Sequence, residues 1–188
     1  MSDAIGDFVT ALKGITVDET DPAVIIERVK PIAVHLSEET SWVRPEFYEV
    51  DERQGIGINI LNQEDNDTNL VEVISWLPGL GVAPHDHQTW GVVVGIDGME
   101  MNIEWRRLDD GCKPGFAELE KTRETEICKG DVVAFLPNDI HSVRNDGDRP
   151  SLSLHIYGRV LANIERSEFD PINKHQRPCP QRVRKLVD

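Results

Sequence analysis

Cysteine is scarce in this chain: Cys112, Cys128 and Cys179 are its three, and no two of them stand at Cys-x-x-Cys spacing. An odd, scattered set excludes a disulfide framework and fits a reducing compartment, so the protein is expected to be cytoplasmic. Positive charge is also in short supply, with 20 Lys and Arg against 34 Asp and Glu and a formal net charge of -14. Nucleic-acid binding needs clustered cations to displace counterions from phosphates, so no nucleic-acid partner is expected. Long apolar runs are missing too. Nothing approaches the roughly 20 residues that cross a bilayer, and no membrane partner is expected. The stretch MSDAIGDFVTALKG has neither a basic n-region nor a long apolar h-region, so it does not read as a secretory signal.

What is present reads as one domain, since 188 residues suffice for one substantial core. The first 45 residues form an expected helical cap. Ile5, Phe8, Val9 and Leu12 recur at helical spacing, and Asp21 with Pro22 is a helix start. Pro31 should kink or end that second helix, because it cannot donate the i→i−4 bond. A short helical segment is possible around RPEFYEV. From Gly55 the texture changes to short β-type runs: INIL, NLVEVISWL, VVVGI, MEMNIEWRRL, FAELEKTRE, DVVAFL, HSVRN and SLSLHIYG. Gly, Asn, Asp and Pro punctuate them, which predicts a β-sandwich or small barrel over 46–175. The Pro-rich, basic tail 176–188 is expected to run over the surface.

Within PHDHQTWGVVVGIDG, His85 and His87 sit one residue apart. On a strand, i and i+2 face the same way, so both imidazoles can reach one metal ion. Gly79 precedes them by six positions, Gly91 and Gly98 follow, and farther on come Gly130, Pro137, His141 and Asn145. This layout resembles the two motifs of the cupin superfamily and implies its all-β fold, a double-stranded β-helix barrel or small jelly roll. Two positions depart from the pattern. Gly91 stands where an acidic ligand is common, and Asp139 where a glycine is usual. Three histidines without the carboxylate would leave about half of an octahedral shell open, and imidazole alone does not choose among Fe, Zn, Cu and Ni. His35 and His175 match nothing in the pattern.

In SLSLHIYG, Ser153, His155 and Tyr157 alternate and should share a face. Standing alone, such a strand reads first as a polar edge facing water. Together, PHDHxxWG, HSVRN and SLHIYG resemble the thiol dioxygenase family of cupins, over roughly residues 45–175. The resemblance is strongest to bacterial 3-mercaptopropionate dioxygenases. It implies that His85, His87 and His141 hold one iron(II) per chain, that Ser153, His155 and Tyr157 form a catalytic relay, and that dioxygen is the co-substrate converting a small thiol carboxylate to its sulfinate.

In cysteine dioxygenases of the mammalian type, a cysteine at the place of Gly91 crosslinks to the relay tyrosine, so the resemblance implies a free phenol here. Those enzymes also hold the substrate carboxylate with an early-strand arginine. Between Arg53 and Arg106 this chain has none, which leaves Asn59 or Gln63 as polar candidates to face the pocket. Arg166, nine residues after Tyr157, is at the place of an arginine in the 3-mercaptopropionate enzymes, and its planar fork suits a carboxylate. Its alternative role is a surface pair with Glu165 or Glu168. Arg159 is a second candidate, and Trp90 would form a pocket wall or fill core. Cysteine and mercaptosuccinate stand behind 3-mercaptopropionate as substrates. Of other classes, a non-oxidative metal-dependent cupin (isomerase or lyase) and a ligand-binding cupin remain open. The sequence gives no indication of oligomeric state.

Overall fold

Asp3 accepts a hydrogen bond from Gly6 N at 2.9 Å and starts helix α1 (Ala4–Asp18); Asp21 does the same for Ala23 N at 2.9 Å before α2 (Pro22–Glu38). The computed structural model describes residues 3–187, so Met1 and Ser2 of the expected cap and Asp188 of the expected tail lie outside the described residues. Contrary to the expectation, α2 runs through Pro31 to Glu38. Pro31 lies on the exposed side, where it forfeits one hydrogen bond. The stripe Ile25, Ile26, Val29, Ala33 and Leu36 continues across it into the core. The segment around RPEFYEV forms a single 3-10 turn, Pro45–Tyr48.

Among the described residues twelve strands follow: β1 (Ile56–Gln63), β2 (Thr68–Trp76), β3 (Gly81–His85), β4 (Gly91–Asp97), β5 (Glu100–Arg107), β6 (Leu119–Ile127), β7 (Val132–Phe135), β8 (Ile140–Arg144), β9 (Ser151–Arg159), β10 (Ser167–Asp170), β11 (His175–Pro178) and β12 (Lys185–Leu186). They make two six-stranded sheets, ordered β12-β1-β2-β9-β4-β7 and β11-β10-β3-β8-β5-β6. The central eight strands thus pair as β2-β9-β4-β7 and β3-β8-β5-β6, the strand order of a jelly roll, and the expected all-β double-stranded β-helix is the fold observed.

Strand β9 lies inside its sheet between β2 and β4, not at an edge. One of its faces carries Leu152, Leu154 and Ile156, which pack with Val71, Val73, Val92 and Val94 under the two helices. Each such side chain contributes about 1.5–3 kcal/mol by burial, so the helices belong to the core rather than decorating it. The opposite face, left to Ser153, His155 and Tyr157, is equally buried. The described part of the C-terminal segment is exposed or half-buried throughout, and it is also held in place. Cys179 N donates to Arg166 O at 2.7 Å, Val183 N donates to Gln54 Oε1 at 2.7 Å, and β12 pairs in parallel with β1. Backbone pairing therefore fastens the tail to the barrel.

Candidate functional site

His85 is the last residue of β3 and lies opposite His141 on β8, while His87 follows two residues beyond the strand end. Ring centroids are 4.8 Å apart for His85 and His87, 4.7 Å for His85 and His141, and 5.0 Å for His87 and His141. One ring nitrogen from each lies within 4.8 Å of the others. His85 Nδ1 donates to Ala83 O at 2.9 Å and His141 Nδ1 donates to Asn102 Oδ1 at 2.8 Å, which orients these two rings and leaves each Nε2 as an acceptor. His141 Nε2 and His87 Nδ1 are buried without a hydrogen-bond partner. Unpaired buried nitrogens are costly, and three neutral imidazoles converging in this way fit a metal ion.

Burial, reinforced by neighbouring imidazoles, pushes His87 and His141 well below the ordinary histidine range, and burial lowers His85 to about 4. His155 falls to about 3 for the same first reason. A depressed folded-state value means stability that is complete above the unfolded value of about 6.5 and is lost as pH falls from there toward the folded values. The metal-free protein should therefore lose thermal stability steadily on acidification from about pH 6.5 to 4, as a melting series records, and the metal-loaded protein should release its metal over the same window. A second expectation concerns Asn102, on β5. Asn102→Ala should leave the three histidines in place and weaken metal affinity by about 10–100-fold in equilibrium dialysis.

No carboxylate joins the three histidines among the described residues. Gly91 pairs with Tyr157 across β4 and β9, and a Cβ added there would lie 3.1 Å from Tyr157 Cδ1 and 3.5 Å from Phe135 Cδ2. The glycine is what lets the phenol ring lie flat against the strand, 4.9 Å from His87 between centroids. Phe135 closes the other side, its ring 3.8 Å from that of His141.

The alternation read in SLSLHIYG produces an unbroken chain of hydrogen bonds. Ser153 Oγ is 2.8 Å from His155 Nε2, and His155 Nδ1 is 2.9 Å from the Tyr157 hydroxyl. All three side chains are buried, and burial raises the Tyr157 phenol well above its ordinary value. The group is therefore a neutral hydrogen-bonding relay whose outer end lies beside the histidine cluster.

A cavity with about 60 Å³ open to the centre of a water-sized sphere is lined by the three histidines, His155 and Tyr157. At roughly 10–15 Å³ of such space per water, it holds about four waters or a ligand with a handful of heavy atoms. Arg166, Arg182 and Arg184 line it together with Glu72 and Glu168. Arg184 Nε donates to the fully buried Glu72 at 2.6 Å, and Arg182 lies 3.8 Å from Glu168. Arg166 makes no ion pair among the described residues, neither with Glu165 nor with Glu168. Asp86 N donates to Ser167 O at 3.1 Å and Ser167 N donates back to the Asp86 carboxylate at 3.1 Å, which holds its segment beside the histidine loop.

Other expected residues fall elsewhere. Trp90 packs in the core under the helices and does not line the cavity. Arg159 pairs with Asp67 at 2.7 Å on the surface. Asn59 alternates with the cavity-lining Ile58, so it points to the other face, and Gln63 is exposed at the strand end. His35 and His175 are exposed. The sequence reading missed Glu72, Arg182, Arg184 and Cys179. Glu72 had a signal, a lone carboxylate inside the apolar run NLVEVISWL; the tail residues had none. Burial raises the Cys179 thiol, which makes it a poor nucleophile.

No protein-family model matches the chain. Solved structures similar to it include an uncharacterised protein with a double-stranded β-helix domain from Klebsiella pneumoniae, 17% identical over 70% of this chain and 93% of that one, with a TM-score of 0.48. A cupin-superfamily protein from Desulfitobacterium hafniense is 16% identical over 60% of this chain and 84% of that one, TM-score 0.43. A cupin domain of a transcriptional regulator from Enterobacter cloacae is 19% identical over 57% of this chain and 99% of that one, TM-score 0.40.

Proposed function

We propose that this protein is a thiol dioxygenase that adds both atoms of dioxygen to the sulfur of a small thiol carboxylate, 3-mercaptopropionate first, giving the sulfinate. The observation that carries the reading is the relay Ser153–His155–Tyr157 ending against three histidines that no carboxylate accompanies. His85, His87 and His141 would hold iron(II), which supplies open positions for a thiolate and for dioxygen when bound. The balance closes without an external reductant: sulfur gives up the four electrons that dioxygen accepts.

The chain's own residues do the rest. Burial of the histidines keeps them neutral and ready to ligate. Tyr157 offers a hydroxyl to whatever occupies the cavity, with its angle fixed by His155 and Ser153. Arg166 holds the carboxylate and converts a small flexible thiol into a positioned reactant. Among the charges lining the cavity, Arg184 is paired with Glu72, and Arg182 lies 3.8 Å from a Glu168 whose closer partner is Arg177, so cations remain to receive a carboxylate. Loss of a charged hydrogen bond of about 1.5–3 kcal/mol should make Arg166→Gln raise KM for 3-mercaptopropionate by about 10–100-fold with a smaller effect on kcat.

A second reading has cysteine as substrate. Glu72 Oε2 lacks a hydrogen-bond partner beside the cavity and could receive an ammonium group. Oxygen uptake by iron-loaded protein given 3-mercaptopropionate, cysteine and mercaptosuccinate in turn decides among them by kcat/KM. No uptake with any thiol, with zinc as the metal the protein retains, would point instead to a non-oxidative or ligand-binding role.

A further inference from the structure

Inside the barrel, Glu100 opens β5 with only 4% of its surface exposed, and its Oε1 has no hydrogen-bond partner. Two residues before it, a Cβ built on Gly98 would lie 3.0 Å from Ser151 Cβ, and the Ser151 and Ser153 hydroxyls of β9, the inner end of the relay described above, act on the Glu100 carboxyl. Burial raises its carboxyl to about 7, the two serine hydroxyls oppose the rise, and no cation on any packed element offsets it among the described residues. Tyr157 in turn feels the carboxylate's charge. Ser151 Oγ, like Glu100 Oε1, makes no regular hydrogen bond, and the backbone alternative for the Ser153 hydroxyl, Ile74 O, is 3.5 Å away, at the limit of such a bond.

We infer that Glu100 is the fourth and terminal member of the relay, the base that receives the proton the substrate thiol gives up at Tyr157. The inference rests on the thiol reading for the identity of the donor, but not for the connection to Ser153. With Glu100 ionised, the Ser153 hydroxyl donates to it, His155 Nε2–H donates to Ser153, and the Tyr157 O–H donates to His155 Nδ1. Transfer then proceeds as a concerted shift. The S–H bond breaks and its proton joins the Tyr157 oxygen; the phenol proton passes to His155 Nδ1; the Nε2 proton passes to Ser153; the Ser153 proton passes to the Glu100 carboxylate. No electrons change hands between groups, and the net change is one proton moved from sulfur to carboxylate. The chain's direction reverses in the process, so the Tyr157 O–H afterwards points into the cavity as a donor.

The first test needs no turnover. In the full-length, metal-loaded protein, infrared spectroscopy should show a protonated buried carboxyl band that disappears as pH rises through about 7, is missing in Glu100→Gln, and titrates at higher pH in Ser153→Ala, where the opposing hydroxyl is gone. The second is the pH profile of kcat/KM with 3-mercaptopropionate. Wild type should lose rate as pH falls through about 7, because a protonated Glu100 cannot accept; Glu100→Gln should be slower by about 10–100-fold and flat over that range. A carboxyl band absent at every pH, unchanged in Glu100→Gln or unmoved in Ser153→Ala overturns the inference whatever the substrate is. So does a pH limb that persists in Glu100→Gln. If no thiol is turned over, the proposed function falls, and the infrared result with Ser153→Ala still decides whether Glu100 ends the relay.

Discussion

His87→Ala abolishes metal retention and oxygen uptake together, while far-ultraviolet circular dichroism stays that of a folded barrel. The expectation follows from how little redundancy the cluster has. Only His85, His87 and His141 converge, and no neighbouring carboxylate can take over a lost position among the described residues. Two imidazoles at the end of β3 and on β8 would hold a divalent ion far more weakly than three, by more than the 10–100-fold typical of an outer partner such as Asn102. Metal analysis should fall from about one ion per chain to a trace. Full retention of metal by His87→Ala would mean that the ion sits elsewhere.

Tyr157→Phe should separate holding the metal from using it. The phenol lies beside the cluster without belonging to it, so metal content should match wild type. What disappears is the hydroxyl that passes hydrogen bonding from His155 to the cavity. Loss of a positioned proton-transfer group typically costs 10²–10⁴-fold, and a fall in kcat/KM of about 10²-fold is expected. The change also strands His155 Nδ1, buried and without its partner at 2.9 Å, which should lower stability by about 1–3 kcal/mol. Equal loss of metal and activity would recast Tyr157 as structural support for His87.

The parts of this site legible in the sequence are those carried by local periodicity. Residues at i and i+2 share a face of a strand, and that rule alone brought Ser153, His155 and Tyr157 into one chain of hydrogen bonds. The glycine and asparagine of the motif frame also have visible roles: Gly79 and Gly98 take positive φ at turns, and Asn145 ties Trp76 O to Arg149 O. What was illegible depends on chain reversals. The Gly-Val-Ala-Pro-His strand β3 was absent from the expected strands because Gly and Pro mark turns, yet here Gly81 and Pro84 belong to a five-residue strand beside β8 and β10. The tail read as surface because Pro, Gln and Arg dominate it. Two short pairings turn it back, and Arg182 and Arg184 reach a cavity whose early-strand arginine is missing. Pro31 shows the converse: a strong local signal outweighed by an apolar stripe that continues on both sides of it.

Anaerobic protein loaded with iron(II), mixed with 3-mercaptopropionate and then exposed to dioxygen labelled in both atoms, tests the central claim most directly. The account predicts one sulfinate formed per dioxygen consumed, with both labelled atoms on the same sulfur by mass spectrometry. A product carrying a single labelled atom, or a disulfide with the label left in peroxide or water, would contradict it.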